Sequence, residues 1–431
     1  MQKQHEPLSL PPGEFAARRA KLYGLLGGAS AVLQGAGPVR GFEAFRQSND
    51  VHYLSGIEAP QALLLLDGQA RATTLFVDGD PEGGGIESVR PLAEAAAAIR
   101  GRATLYAPHA PAEGVQMSRD IATRSQAAIA ADPWDGAPSR EARFIEQLRR
   151  EAPAAAIRDL NPLLDGLRLI KSPLELALLR KAGRLSALSA LEAMKSGRPG
   201  VRAYELGAAM AYLYRVNGAR GEGYAPIIPA GANVWEAHWW RNDDVLKAGD
   251  FVLFDCAPDV GYYTSDIGRM WVAGGRFAPW QRELYGFMAT YHSTLLRLIR
   301  PGRYAGGILE EAASEMKRVI ESTSWSKPSF EMAARATLSY AGHLSHPVGM
   351  AVHDVGDYRN RVLEPGMVFA VDPQLWVPGE KIYVRVEDTV AVTADGIENF
   401  TAGAPFLIED VERVAGTGGM VQAFPPLEES E

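Results

Sequence analysis

The sequence predicts a mixed α/β protein (class α+β) of two domains, the second built on an internal repeat. Three observations lead there. The 431 residues exceed what one hydrophobic core ordinarily organises. Strand-like and helix-like segments are interspersed through residues 1–168. Further on, LKAGDFVLFD (246–255) and LEPGMVFAVD (363–372) share a leucine, a glycine and a terminal aspartate in register, with four apolar residues before each acid. The expected domains are 1–168 and 169–431.

Composition narrows the class. Apolar residues make up 47% of the chain and charged residues 22%, the balance of a soluble globular protein. A net charge of −8 argues against nucleic-acid partners. The single cysteine, Cys256, excludes an internal disulfide framework and suits a reducing compartment. No apolar run is long enough to span a membrane, so no membrane partner is expected. The opening MQKQHEPLSLPPGEF lacks the apolar core of a signal peptide, which makes the cytoplasm the default expectation.

Taken in order, DVHYLSG (50–56), ALLLLDG (62–68) and ATTLFVDG (72–79) read as strands closed by glycine turns. GDPEGGG (79–85) reads as a surface loop. PLAEAAAAIR (91–100) and REARFIEQLRREA (140–152) read as helices, the second with one apolar and one charged face. NPLLDGLRLI (161–170) reads as the domain join. At KSPLELALLRKAG (171–183) a helix restarts: Ser172 caps it, Pro173 takes its first position and Glu175 completes a capping box. GRPG (197–200) ends that helix, and another runs from Ala203 to Asn217, stopped by Gly218. The GRPG turn has its own counterpart in IRPG (299–302).

Beyond each repeat strand lies a second β-rich segment carrying another acid: YYTSDIGRMW (262–271) and IYVRVEDTVAV (382–392). Alternation along a strand places Thr264, Asp266 and Gly268 on one face, and Arg385 with Glu387 on another. Asp255, Asp266, Asp372 and Glu387 would each pass alone for a strand-end or surface acid. At matched repeat positions they imply a common centre. Buried carboxylates in this number need cations, which two divalent metal ions would supply. The histidines agree: His238, His343, His346 and His353 fall in the same domain, three of them within GHLSHPVGMAVHDVG (342–356). An imidazole can bind a metal through one nitrogen while a partner orients the other. His52, His109 and His292 read as ordinary structural or surface histidines.

The order of these residues, D…D…H-x-x-G-x-x-V-H-D…D-P…R-x-E-D, resembles the metallopeptidases of the pita-bread fold, above all aminopeptidase P and prolidase. FEAFRQSNDVHYLSGIEAPQALLLL (42–66) is similar to their N-terminal domain and IKSPLELALLRKAG (170–183) to the start of their catalytic domain. The resemblance implies hydrolysis of the bond before proline, in peptides with proline at the second position. It implies that Asp255 chelates a first metal, Asp266 and Glu387 bridge, and His346 and Asp372 bind a second. His238 and His353 would line the substrate site, and Arg385 would steady the carboxylates. Four carboxylates and one imidazole favour Mn²⁺, with Zn²⁺ or Co²⁺ as alternatives. Two such ions would generate hydroxide at neutral pH, with Asp372 passing the proton to the leaving nitrogen. A homodimer or homotetramer is also implied.

Three positions depart from the family pattern. Asp372 stands where the family has glutamate, Gly268 where aminopeptidases P usually have threonine, and Gly342 where a histidine is frequent. Cys256 also follows Asp255 where a small residue is usual. The departures keep open a metal-poor pita-bread protein used for binding, and the resemblance itself leaves a dipeptidase of the prolidase type as a second alternative.

Overall fold

The computed structural model describes residues 9–39, 41–79, 81 and 85–427. The chain forms two compact units: Met1–Leu169 with His353–Gly356, and Ile170–Val352 with Asp357–Glu431. The first eight residues of MQKQHEPLSLPPGEF and most of the loop read at 79–85 lie outside the described residues.

Among the described residues, the first unit is organised by a six-stranded sheet. In spatial order its strands are Ser88–Arg90, Ala72–Phe76, Leu63–Asp67, Ser30–Gln34, Thr104–Ala107 and Ala156–Asp159. Leucine-rich Leu63–Asp67 pairs antiparallel with both its neighbours, whereas Thr104–Ala107 is parallel to both of its own. Helix Arg140–Glu151 lays Phe144 and Leu148 against Val32, Leu65, Phe76 and Leu105, as its two-faced sequence predicts.

DVHYLSG is a helix, Asn49–Ser55, and not a strand. Gly56, at φ 68°, donates its N–H to the His52 carbonyl and so forms a left-handed helix cap. A glycine closing a helix and one closing a strand look alike in sequence, and Val51 and Tyr53 tilt the local composition towards a strand. Tertiary contacts decide otherwise. A Cβ at Gly56 would stand 2.4 Å from the Phe15 ring, and Asp50 is drawn inward to Arg168 at 2.8 Å. NPLLDGLRLI is likewise helical, over Asn161–Leu169.

In the second unit, helix Pro173–Ser196 begins with the expected capping box. Ser172 accepts from the Glu175 N–H at 3.2 Å, and Glu175 accepts from the Ser172 N–H at 2.9 Å. Helix Ala203–Val216 follows. The central antiparallel sheet runs Val368–Val371, Glu387–Val392, Ile267–Val272, Phe251–Asp255, with Ile397–Asn399 paired to Glu387–Val392. The internal repeat is visible in this order. Each half supplies one outer and one inner strand, and the inner strands meet at Ile267 opposite Asp388 and Gly268 opposite Glu387. All four of these strands are buried, which explains the unbroken apolar runs of the two outer ones, Phe251–Phe254 and Val368–Val371. A separate hairpin, Gln374–Val377 with Ile382–Arg385, sets Gln374 opposite Arg385. No helix among the described residues is long and apolar enough to cross a membrane.

Candidate metal centre

The sheet delivers the acids. Asp255 is the last residue of Phe251–Asp255, Asp372 follows Val368–Val371 directly, and Glu387 opens Glu387–Val392. Asp266 precedes its strand, which begins at Ile267, so strand alternation does not extend to Thr264 and Asp266. Thr389 holds Asp266 instead, accepting its N–H on the hydroxyl oxygen at 2.8 Å. His346 is placed by the segment alongside Val368–Val371, where the Ala370 N–H donates to the His346 carbonyl at 3.0 Å.

Three of the expected ligands converge. His346 Nε2 lies 3.3 Å from Asp266 Oδ2 and 4.0 Å from Glu387 Oε1. One donor atom from each of Asp266, His346 and Glu387 falls within 4.8 Å of the others. Burial opposes the charged form of Asp266, but the bond and charge of His346 outweigh it and hold the carboxyl at about 2. Burial likewise pushes His346 down, and the Asp266 carboxylate more than restores it. Burial drives the Glu387 carboxyl well above its usual range.

The remaining acids face a guanidinium. Arg385 Nε donates to Asp372 Oδ1 at 3.0 Å, Nη1 donates to Asp255 Oδ2 at 2.8 Å, and Nη2 donates to Glu387 Oε2. The second oxygen of Asp255 meets the Tyr224 hydroxyl at 2.6 Å, and that hydroxyl also lies 2.8 Å from Asp266. The second oxygen of Asp372 accepts from Gln374 Nε2 at 2.7 Å. Burial raises the Asp255 carboxyl to about 7 against the pull of Arg385.

Sequence reasoning missed Tyr224 and Gln374. Gln374 lies two residues beyond Asp372, but nothing in its own stretch marks it, and Tyr224 lies in a loop with no acid or histidine pattern. The remaining histidines stand apart from the converging set. His238 is exposed and stacks on Trp240 at 5.6 Å. His343 pairs with the Tyr340 hydroxyl at 3.2 Å, and burial lowers its pKa. His353 belongs to the first unit, with Nδ1 3.2 Å from Asp120 and its N–H donated to the Ser118 hydroxyl. His292 is fully buried against Asp388 at 2.7 Å, a structural histidine as expected. A cavity of about 400 Å³ opens beside Asp372, lined by Leu309, Tyr340, His343, Gln374 and Trp376 among others.

Buried acids and an imidazole gathered on a two-halved antiparallel sheet define a metal-dependent hydrolase of the pita-bread fold. The chain belongs to metallopeptidase family M24, whose model matches residues 177–394. Residues 15–101 match the aminopeptidase P N-terminal domain. The chain is 31% identical to an Xaa-Pro aminopeptidase of Escherichia coli, over 93% of this chain and 96% of that protein. Among solved structures, a substrate complex of a variant E. coli aminopeptidase P has a TM-score of 0.74 at 28% identity, covering 94% of this chain and 98% of that one. Proline aminopeptidase P II from Yersinia pestis gives 0.74 at 29% identity, covering 94% and 99%.

The family implies a metal, and the residues fit one. Glu387 Oε1 is buried without a hydrogen-bond partner and lies beside His346 and Asp266. Such an atom is costly unless a cation meets it. One imidazole and two carboxylates suit a divalent ion.

Proposed function

We propose that this chain is a metal-dependent aminopeptidase that removes the first residue from peptides whose second residue is proline. The observation that carries this reading is the convergence of Asp266, His346 and the unpartnered Glu387 oxygen, in a chain similar along nearly its whole length to an Xaa-Pro aminopeptidase. A divalent ion held there supplies Lewis-acid polarisation of the scissile carbonyl and lowers the pKa of water. The oxygen-rich donors favour Mn²⁺.

The chain's own residues do the rest. Tyr224 ties Asp255 to Asp266, and Arg385 fixes the carboxylates on its other side, so the donors are preorganised. The exposed imidazole of His238, stacked on Trp240, would orient a peptide. The nitrogen of a bond before proline carries no N–H, so the ring must be recognised by shape. The cavity beside Asp372 offers Leu295, Leu309 and Trp376 for that contact. Assembly into a homo-oligomer accompanies this reading.

The test compares Xaa-Pro-Xaa peptides with Xaa-Pro dipeptides, on chelator-stripped protein with and without Mn²⁺. Hydrolysis of the longer peptides that depends on Mn²⁺ is expected. His346→Ala should lower kcat/KM on the order of 100-fold or more, since misplacing reacting groups by ~1 Å already costs that much. Failure to cleave either substrate with metal bound would overturn the reading.

A further inference from the structure

We infer that this chain holds one divalent ion at its centre, and that the Arg385 guanidinium stands where a second would lie. The inference rests on the reading of the site as a metallopeptidase centre and concerns how its cations are divided.

The five expected ligands separate into two groups by what their atoms meet. Asp266, His346 and Glu387 Oε1 converge on each other, and the last of these has no partner. Asp255 and Asp372 differ from Asp266 in meeting the Arg385 guanidinium, and none of their four oxygens is left without a protein donor. Arg385 takes one oxygen of each acid, Tyr224 takes the other of Asp255, and Gln374 takes the other of Asp372. Arg385 reaches Asp255, Asp372 and Glu387 through its three nitrogens, and its side chain is only 5% exposed. A guanidinium is a permanent cation with donors in a rigid fork, suited to carboxylates held on several sides. It offsets part of the charge of Asp255 and Asp372, and its fixed charge repels a second dication brought against the same oxygens.

Two departures from the family pattern share this explanation. Gly268 has ordinary extended backbone, so its lack of a side chain concerns space. A Cβ there would stand 3.0 Å from Arg385 Nε and 3.1 Å from Glu387 Oε2, which is crowded for both. A threonine at this position would press on the guanidinium where it now sits. At Asp372 the missing methylene draws the carboxylate back by about one bond length, ~1.5 Å. From there Oδ1 meets Arg385 Nε, and Oδ2 meets Gln374, its neighbour two residues on. A glutamate would carry its oxygens about one bond length past that position. Glycine and aspartate together leave the room in which the arginine of the family pattern closes on both acids.

The experiment counts ions. Metal-stripped protein is loaded with excess MnCl₂, freed of unbound ion by gel filtration, and measured by elemental analysis and electron paramagnetic resonance. One Mn²⁺ per chain is expected, with the hyperfine-split spectrum of an isolated ion. The double variant Gly268→Thr, Asp372→Glu, checked for folding by circular dichroism, should double that content and show a coupled pair. Two ions in the unaltered chain, a coupled spectrum, or no bound ion would each overturn the inference. So would a folded double variant that still holds one. If the double variant does not fold, the unaltered chain's stoichiometry decides alone. Hydrolysis is followed on the same samples. Two ions with Xaa-Pro cleavage would leave the proposed function standing and remove the inference, and one ion without cleavage would do the reverse.

Discussion

Asp388 is the neighbour of Glu387 in sequence, yet strand alternation sends it to the opposite face. There it is fully buried and binds Arg269 at 2.6 Å, His292 at 2.7 Å and the Thr401 hydroxyl at 2.5 Å. Burial opposes its charge, but Arg269 prevails and holds the carboxyl far below its usual range. Asp388→Asn keeps the volume and strands the Arg269 charge. Such a change should cost about 3–5 kcal/mol of unfolding free energy in urea denaturation. A cost within about 0.5 kcal/mol, the level of a surface substitution, would mean that the pair contributes nothing net. The same contrast shows what single residues disclose in sequence. Asp255, Asp372 and Glu387 stand out because acids at the ends of apolar strands are anomalous. His346 stands out through its glycine-rich company. Tyr224 carries no comparable anomaly, since a tyrosine in a loop is unremarked until the fold sets its hydroxyl between two aspartates.

Elements are legible where local chemistry and tertiary packing agree. The helix at Pro173 can be read because its cap, its proline and its Glu175 are all local signals, and the structure adds one more tie. Glu175 Oε1 accepts the Tyr263 hydroxyl at 2.9 Å, which joins the helix start to the segment leading to Asp266. Ser172→Ala removes the acceptor for the Glu175 N–H and should lower stability by about 1 kcal/mol, the usual worth of an N-cap side chain. A measured loss below about 0.3 kcal/mol would show that water replaces the hydroxyl. At Asn49–Ser55 local composition and packing disagree, and packing prevails. The β-prone Val51 and Tyr53 sit in a helix because Asp50 must reach Arg168 and Gly56 must pass close to Phe15. No local signal in DVHYLSG contains those partners. The repeat segments are the opposite case. LKAGDFVLFD and LEPGMVFAVD become the outer strands of one sheet, so their matched acids already foretell a shared centre.

For the whole molecule, the sheet that gives the second unit its core also concentrates negative charge at one point. Glu387 is fully buried, and its Oε1 is unpartnered. The fold therefore carries a destabilising feature that a bound cation would relieve. An ion that binds the folded state and ignores the unfolded chain raises the unfolding free energy by about 2.7 kcal/mol at 100 times its Kd. Scanning calorimetry of chelator-stripped protein should accordingly show a melting temperature that climbs with added Mn²⁺. The dependence should be logarithmic once the ion exceeds Kd, because each further tenfold adds about 1.4 kcal/mol. His346→Ala removes the one imidazole of the converging set and should flatten that dependence. Asp120→Ala removes contacts to His353 and Arg124 in the first unit, and should leave it intact. A melting temperature indifferent to Mn²⁺ in the unaltered chain would mean that the fold tolerates the buried, unpartnered Glu387 oxygen without an ion. A Mn²⁺ response equal in the His346→Ala variant would place the stabilising ion elsewhere on the chain. Only a response carried by His346 agrees with a cation held between the two halves of the central sheet.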